Sequence, residues 1–289
     1  MENIKWLIVA LVQGVTEFLP ISSSGHLMLV YDMFNITQNT LLIAIIFHVA
    51  TLASVVVYYF KDIVELIRHP FCKTNINILL SMIPTFILAM LFKNAVSNMT
   101  DGAILYINFY ITALMLIILF VLQCRVVNGD TLPKNTHIMS INGGYMSHNT
   151  WKMSQSVSAN MSTNLNIKWW QSLLMGLSQG VAVFPGISRS GTTITCGSVC
   201  GVDNKSATKF SLLMSIPVIV GSMLFEIIDY INSPMVIDCS MTMLACSFAV
   251  CFAVGLLSIK LLQFVMNKKY GTLICAVYLI VLATICFVV

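Results

Sequence analysis

Long apolar runs separated by short polar joints set the pattern of this chain. Six runs approach or exceed the roughly 20 residues that cross a bilayer: 41–60, 76–92, 103–122, 210–230, 240–259 and 271–289. Two further segments, 4–31 and 169–203, are apolar but interrupted by Gly, Pro and Ser. Such interruptions predict helices that break before they have crossed. Between the halves, 126–167 is rich in Asn, Ser, Met and Gly and holds no run of spanning length, so it reads as a flexible loop. The pattern predicts an all-α polytopic membrane protein.

The two interrupted segments are copies of one another. "QGVTEFLPISSSGH" (13–26) aligns without gaps to "QGVAVFPGISRSGT" (179–192), with eight identities in fourteen. Apolar composition alone does not produce that agreement, and each copy is followed by three apolar runs. The organisation expected is a first repeat over 1–125, a polar loop over 126–167 and a second repeat over 168–289.

Composition agrees with the hydropathy pattern. Of 289 residues, 58% are hydrophobic and 9% charged, against about 25% charged in soluble domains. The net charge of +4 does not point to nucleic acid, because the basic residues fall in the joints rather than in a patch. The nine cysteines form no CxxC pair and lie mostly in apolar stretches such as those of Cys246, Cys251, Cys275 and Cys286. They read as small buried hydrophobes, with neither a disulfide framework nor a zinc site. The N-terminal "MENIKWLIVALVQGVTEF" loosely resembles a signal peptide. Its apolar run is short, and Gln13 and Glu17 stand where small residues would mark cleavage, so it is expected to be retained.

Lys and Arg orient the spans. Lys61, Arg68 and Lys73 lie in 61–75, and Arg125, Lys134, Lys152 and Lys168 lie in 123–168, whereas 93–102 holds only Lys93. Cytoplasmic joints carry the excess of these residues, so 61–75 and 123–168 are inside and residue 40 is outside. Lys205 and Lys209, and then Lys260, Lys268 and Lys269, place 205 and 260–270 inside as well. Segment 169–205 therefore starts and ends inside and must dip in and return. If 1–40 has the same shape it dips in from the opposite face, with Lys5 alone opposing an outside N-terminus. The expected fold is six spans plus two re-entrant helical hairpins in inverted repeats whose tips meet in the bilayer, where membrane binding sites commonly lie.

The polar residues concentrate at those tips. An ionisable group such as Glu17 is costly in a membrane segment and marks function by default. Gln13 lies four residues before it, on the same helix face. Pro20 is expected to end that helix. Ser22, Ser23, Ser24 and Gly25 then form a turn that opens a new one, with His26 three residues after Ser23 and within reach of it. Hydroxyl, imidazole and carboxylate together are the parts of an activated nucleophile. The second copy, "PGISRSGTT" (185–193), contributes Arg189, flanked by Ser188, Ser190, Gly191, Thr192 and Thr193 at a helix N-terminus. A guanidinium beside free backbone N–H groups is how proteins hold phosphate. Arg189 also reads as a structural partner for Glu17. Elsewhere, Glu226 and Asp229 fall at the outer end of 210–230, with Asp229 interfacial. Asp32 reads as a loop residue, and a packing role is expected for His48 in the middle of "FHVATLASVVVYYF".

These two motifs closely resemble the signatures of the undecaprenyl-diphosphate phosphatases of the bacitracin-resistance type: a Glu or Gln four residues before a Glu, then Ser-Ser-x-Gly-His, and later Pro-Gly-x-Ser-Arg-Ser-Gly-x-Thr. The stretches 47–60 and 210–222 also look like that family's adjoining helices. The resemblance covers both halves but not the 126–167 loop. It implies a homodimer in the bacterial cytoplasmic membrane. It implies hydrolysis of a polyprenyl diphosphate lipid to the monophosphate and inorganic phosphate at the periplasmic side, with a divalent cation, Mg²⁺ or Ca²⁺. That reaction recycles the lipid carrier of cell-wall precursors and confers bacitracin resistance. By matching position, Glu17 and Gln13 correspond to the metal-binding or proton-transferring pair, and Ser23 and His26 to the hydroxyl and imidazole at the reacting phosphorus. Arg189, with Ser188, Ser190, Gly191 and Thr193, corresponds to the phosphate-binding group, joined by Ser22, Ser24 and Gly25 of the first turn. The architecture alone also suits a transporter or lipid flippase. The hydroxyl, base and acid facing an arginine discriminate against a carrier, which needs no nucleophile.

Overall fold

The computed structural model describes residues 2–36, 40–97, 102–127, 165–232 and 240–288, and all regular structure among them is helical. The 126–167 loop lies almost entirely outside the described residues. The helices are α1 (Glu2–Thr16), α2 (Ser23–Phe34), α3 (Thr40–Tyr58), α4 (Phe60–Arg68), α5 (Lys73–Ser97), α6 (Gly102–Val127), α7 (Trp169–Val181), α8 (Arg189–Val199), α9 (Asn204–Asn232), α10 (Met241–Asn267) and α11 (Gly271–Val288).

Four of these, α5, α6, α9 and α10, are long and apolar enough to cross a membrane, and α3 with α4 makes a fifth as a bent pair. The sixth expected span, 271–289, is the shorter apolar helix α11. The first span differs from expectation. It stops at Tyr58 and turns by 79° into α4, where polar and apolar residues fall on opposite faces, as in a helix lying along an interface. The apolar run continues through Tyr59 and Phe60 and gives way at Lys61 and Asp62, so hydropathy marks the end of the span two residues past the bend.

Side-chain cross-links fix the relative directions of the spans. His48, early in α3, meets Glu226, late in α9, while Asp62 just beyond α3 meets Lys209 near the start of α9. The two helices are therefore antiparallel. Tyr110–Thr284 and Gln123–Thr272 set α6 antiparallel to α11. Asn77 to Ile167 and Thr85 to Gly176 set α5 parallel to α7. These directions are those derived from Lys and Arg placement.

Both interrupted segments are hairpins closed at their base. Lys5 Nζ donates to the Phe34 carbonyl at 3.0 Å, where a cation satisfies an orphan acceptor at the C-terminus of α2. The cation that opposed an outside N-terminus is thus a cap that ties the start of α1 to the end of α2. The second hairpin is tied in the same way: Gln171 Nε2 donates to the Cys200 carbonyl at 2.9 Å. Because α2 feeds α3 and α8 feeds its antiparallel partner α9, the bases face opposite ends of the molecule and the tips converge between them. The halves also interlock, since α1 packs on α10 of the second half and α7 on α5 of the first. Repeat-equivalent Gly14 and Gly180 sit at those crossings. A Cβ on them would lie 2.9 Å from the Cys251 carbonyl oxygen and 2.7 Å from Leu88 Cβ, respectively. Close backbone approach at small residues is the usual basis of helix association in lipid.

Candidate active site

The hairpin tips are built alike. α1 ends at Thr16, four residues before Pro20, which was expected to end it. The Glu17 amide still reaches the Gln13 carbonyl, and Phe18, Leu19 and Ile21 turn into the core. Ser22 caps α2, its Oγ accepting from the Gly25 N–H at 3.4 Å, and Ser188 caps α8, its Oγ accepting from the Gly191 N–H at 3.1 Å. Ser22 does so at φ 69, a left-handed conformation costly for a non-glycine residue. In each copy the cap hydroxyl also lies near the serine two residues on, Ser22–Ser24 at 3.4 Å and Ser188–Ser190 at 3.3 Å.

The tips touch at several places, three of which define the site. Ser190 Oγ donates to the Leu19 carbonyl at 3.1 Å. A Cβ on Gly25 would lie 3.0 Å from Gly186 Cα, and Gly186 holds φ +89, a conformation glycine adopts without strain. The third contact is chemical. Arg189 Nη2 lies 3.4 Å from Glu17 Oε1, with the Glu17 side chain 1% exposed and that of Arg189 27%. Glu17 Oε2 accepts from Ser23 Oγ at 2.7 Å and from Gln13 Nε2 at 2.9 Å. One buried carboxylate thus gathers the hydroxyl, the amide and the guanidinium.

This cluster forms one end of a cavity of about 760 Å³, lined by Gln13, Glu17, Ser22, Ser23, Ser24, Ser188 and Arg189. Apolar side chains of α2, α5 and α9, among them Leu27, Met28, Phe86, Val218 and Phe225, supply the rest of the wall. A pocket of this size with a few convergent polar groups suits a ligand with a polar head and an apolar body.

Other predicted residues lie behind the lining. Ser23 does not bond His26, as the spacing had suggested. His26 Nδ1 meets the Ser22 carbonyl at 2.7 Å and Nε2 meets Tyr278 Oη at 2.8 Å. A carbonyl only accepts, so Nδ1 carries the proton, and in the neutral ring Nε2 accepts from the tyrosine. Thr192, the repeat equivalent of His26, bonds the Ser188 carbonyl in the same way. Thr193 Oγ1 is buried against Ser211 at 2.6 Å, and Gly25, Ser190 and Gly191 shape the contact between the tips. Asp32 lies in the last turn of α2, not in a loop.

Sequence reasoning gave His48 a packing role, yet it lines the cavity with Glu226 at its Nδ1, 3.1 Å away. The available signal was its charge-bearing type inside a span. Its pairing across 178 residues leaves no local trace.

Among the described residues no three His, Cys, Asp or Glu side chains group as metal ligands. Two buried amide oxygens, Gln13 Oε1 and its repeat equivalent Gln179 Oε1, have no hydrogen-bond partner, and both residues line the cavity.

The chain is similar to proteins of known family along its whole length. The family model described as "Bacitracin resistance protein BacA" matches residues 6–285. The chain is 31% identical to Undecaprenyl-diphosphatase 1 of Shouchella clausii, with 100% of this chain and 96% of the relative covered. It is 32% identical to the undecaprenyl-diphosphatase of Thermosipho africanus, with 98% of each covered, and 29% identical to that of Carboxydothermus hydrogenoformans, with 89% of each covered. With both motifs, the paired hairpins and a match spanning nearly the whole chain, the protein belongs to the bacitracin resistance protein BacA family.

Proposed function

We infer that this membrane enzyme hydrolyses undecaprenyl diphosphate to undecaprenyl phosphate and inorganic phosphate. The carrying observation is the Glu17 carboxylate, which holds Ser23 and Arg189 on its two oxygens at the polar end of an apolar-walled cavity. The terminal phosphate takes the place beside Arg189 and the two helix N-termini, which supply fixed positive charge, and the prenyl tail follows the apolar wall. Phosphoryl transfer depends mainly on such positioning and charge neutralisation. Ser23 attacks the terminal phosphorus, and Glu17, at 2.7 Å, takes its proton. The P–O bond to the lipid phosphate breaks, and water then releases the phosphate from Ser23. In this reading His26 positions the turn rather than acting as the base.

The donors at the site fit a divalent cation, Mg²⁺ or Ca²⁺. One carboxylate and the unpartnered Gln13 Oε1 form an incomplete oxygen set of the kind Mg²⁺ completes with waters and substrate phosphates. Glu17 and Gln13 would hold it, and when bound it shares the phosphate's negative charge.

The cavity is lined by Ala44 and His48 of α3, Ala89 of α5 and Phe225 of α9, all towards the ends that Lys and Arg placement assigns to the outside. That supports an active site on the periplasmic face of a bacterial cytoplasmic membrane, in a carrier-recycling role that gives bacitracin resistance. The resemblance supports a homodimer, which cross-linking in native membranes tests.

The deciding experiment is phosphate release from a C55 or C15 diphosphate by purified protein, with and without EDTA. Release that requires a restored divalent cation is expected. No release under any metal condition would refute the phosphatase reading and favour a carrier.

A further inference from the structure

The proposed chemistry uses Glu17, Ser23 and Arg189 and leaves His48 of the same cavity, paired with Glu226, without a task. His48 Nδ1 is held by Glu226 Oε2 at 3.1 Å, with the side chains 18% and 21% exposed. A carboxylate at one ring nitrogen fixes the tautomer and aims the other nitrogen. Among the described residues His48 Nε2 has no hydrogen-bond partner, and His48 lines the cavity. Among the described residues Arg189, paired with Glu17, is the one Lys or Arg lining this cavity. A diphosphate head brings at least two negative charges. Arg189 and the divalent cation proposed at Glu17 and Gln13 both stand at the hairpin tips, so among the described residues no lining Lys or Arg is left for the second phosphate.

We propose that His48, oriented by Glu226, is the subsite for the lipid-side phosphate, the one that leaves with the prenyl chain. The inference rests on the diphosphate reading above. Arg189 and the two serine caps serve the terminal phosphate at the hairpin tips. His48 stands on the α3–α9 wall, beside the apolar residues Ala44, Val218 and Phe225 that the tail would follow. When the substrate enters, the imidazole takes a proton from water, and Nε2–H donates to a phosphate oxygen while Nδ1–H stays on Glu226. The imidazolium then sits between two anions, and such charge-assisted hydrogen bonds are about twice as strong as neutral ones. The other ionisable groups around it are Glu17 at the end of α1, Arg189 of α8, Tyr31 of α2 and Cys251 of α10, whose Sγ reaches the Phe47 carbonyl. The site would distinguish a diphosphate from a monophosphate without touching the bond that breaks.

The test is calorimetric titration of the full-length protein in detergent with inorganic diphosphate and, separately, orthophosphate, for wild type, His48→Gln and Glu226→Gln. Expected is a loss of diphosphate affinity of about tenfold in His48→Gln with orthophosphate affinity unchanged, and a smaller loss in Glu226→Gln. Wild-type diphosphate affinity falls as pH rises through the imidazole range, and in His48→Gln it does not. In turnover of a C15 diphosphate, KM rises by a larger factor than kcat falls. Equal weakening of both anions, no change in either, or a fall in kcat alone would overturn the subsite. Thermal melting identifies a variant that has lost its fold, and Glu226→Gln, which keeps the shape of the pair, then decides. Because binding is read directly, wild type that binds both anions but releases no phosphate refutes the phosphatase reading and leaves the subsite comparison intact.

Discussion

Replacing Arg189 with Ala probes the site most directly, because it removes a cation from a nearly enclosed carboxylate. Glu17, 1% exposed, would keep two neutral donors, Gln13 Nε2 and Ser23 Oγ. Stripping one partner from a buried ion pair costs about 3–5 kcal/mol. The figure here lies below that, since the Arg189 side chain is 27% exposed and its contact is 3.4 Å long. A loss of about 1–2 kcal/mol in stability is expected. The catalytic cost is larger. Removing one donor that stabilises transition-state charge costs about 2.7–4 kcal/mol, a factor of about 10²–10³ in kcat. Arg189→Lys keeps the charge but not the planar fork, so it is expected to restore melting temperature more than rate. Glu17→Gln in the Arg189→Ala background removes the orphaned charge and recovers stability, while activity stays lost. Phosphate release from a C15 diphosphate and thermal melting in detergent measure both. A rate for Arg189→Ala within about threefold of wild type, under 1 kcal/mol, would refute the assignment of this guanidinium to phosphate.

Four further substitutions test other parts of the site. Ser23→Ala removes the hydroxyl 2.7 Å from Glu17 and is expected to lower kcat by about 10³ or more, whereas near-normal turnover would mean that water attacks instead. Gly25→Ala places a Cβ 2.6 Å from Phe109 Cζ and 3.0 Å from Gly186 Cα. It is expected to cost about 1–3 kcal/mol in melting experiments, partly recovered by Phe109→Leu; an unchanged melting temperature contradicts the close approach. Tyr278→Phe removes the donor to His26 Nε2 and is expected to cost about 1 kcal/mol with a smaller loss of rate than Ser23→Ala; the reverse order would restore His26 to the chemistry. Gln13→Glu sets a second carboxylate beside Glu17 and is expected to lower the Mg²⁺ concentration for half-maximal activity, and an unchanged metal titration argues against oxygen ligation at this position.

The spans and their directions were legible because their causes are local. Apolar length reports a crossing, and Lys and Arg report how the spans run relative to one another, with which the His48–Glu226 and Asp62–Lys209 cross-links agree. The hairpins were legible through the repeat. Features that depend on tertiary partners were not. Ser23 and His26 are three apart and share a turn, but Ser23 opens α2 and projects to Glu17, while His26 folds back on the Ser22 carbonyl and is held by Tyr278, 252 residues away. α1 ends before Pro20 because Phe18 and Leu19 must enter the core. The bend after Tyr58 falls two residues before the apolar run ends, where the amphipathic period of α4 takes over.

The repeat explains why the site is lopsided. Positions that carry the frame keep one role in both copies: Ser22 and Ser188 cap, Gln13 and Gln179 flank the cavity, and His26 and Thr192, though different residues, bond the cap carbonyl. Positions that carry charge have diverged. Ser23 and Arg189 are equivalents, and the two meet on opposite oxygens of one carboxylate, whose own equivalent is Val183. Two glutamates would leave the lining net negative and repel a phosphate, and two arginines would leave no hydroxyl to attack it. One anion, one cation and one hydroxyl leave the Glu17–Arg189 pair neutral before substrate enters, a less costly state at membrane depth than an unpaired charge. On the proposed reading, the same three groups leave a nucleophile beside a phosphate-binding guanidinium once substrate arrives. An inverted repeat can supply that set only by losing its symmetry at these positions while keeping it at the caps that hold the tips together.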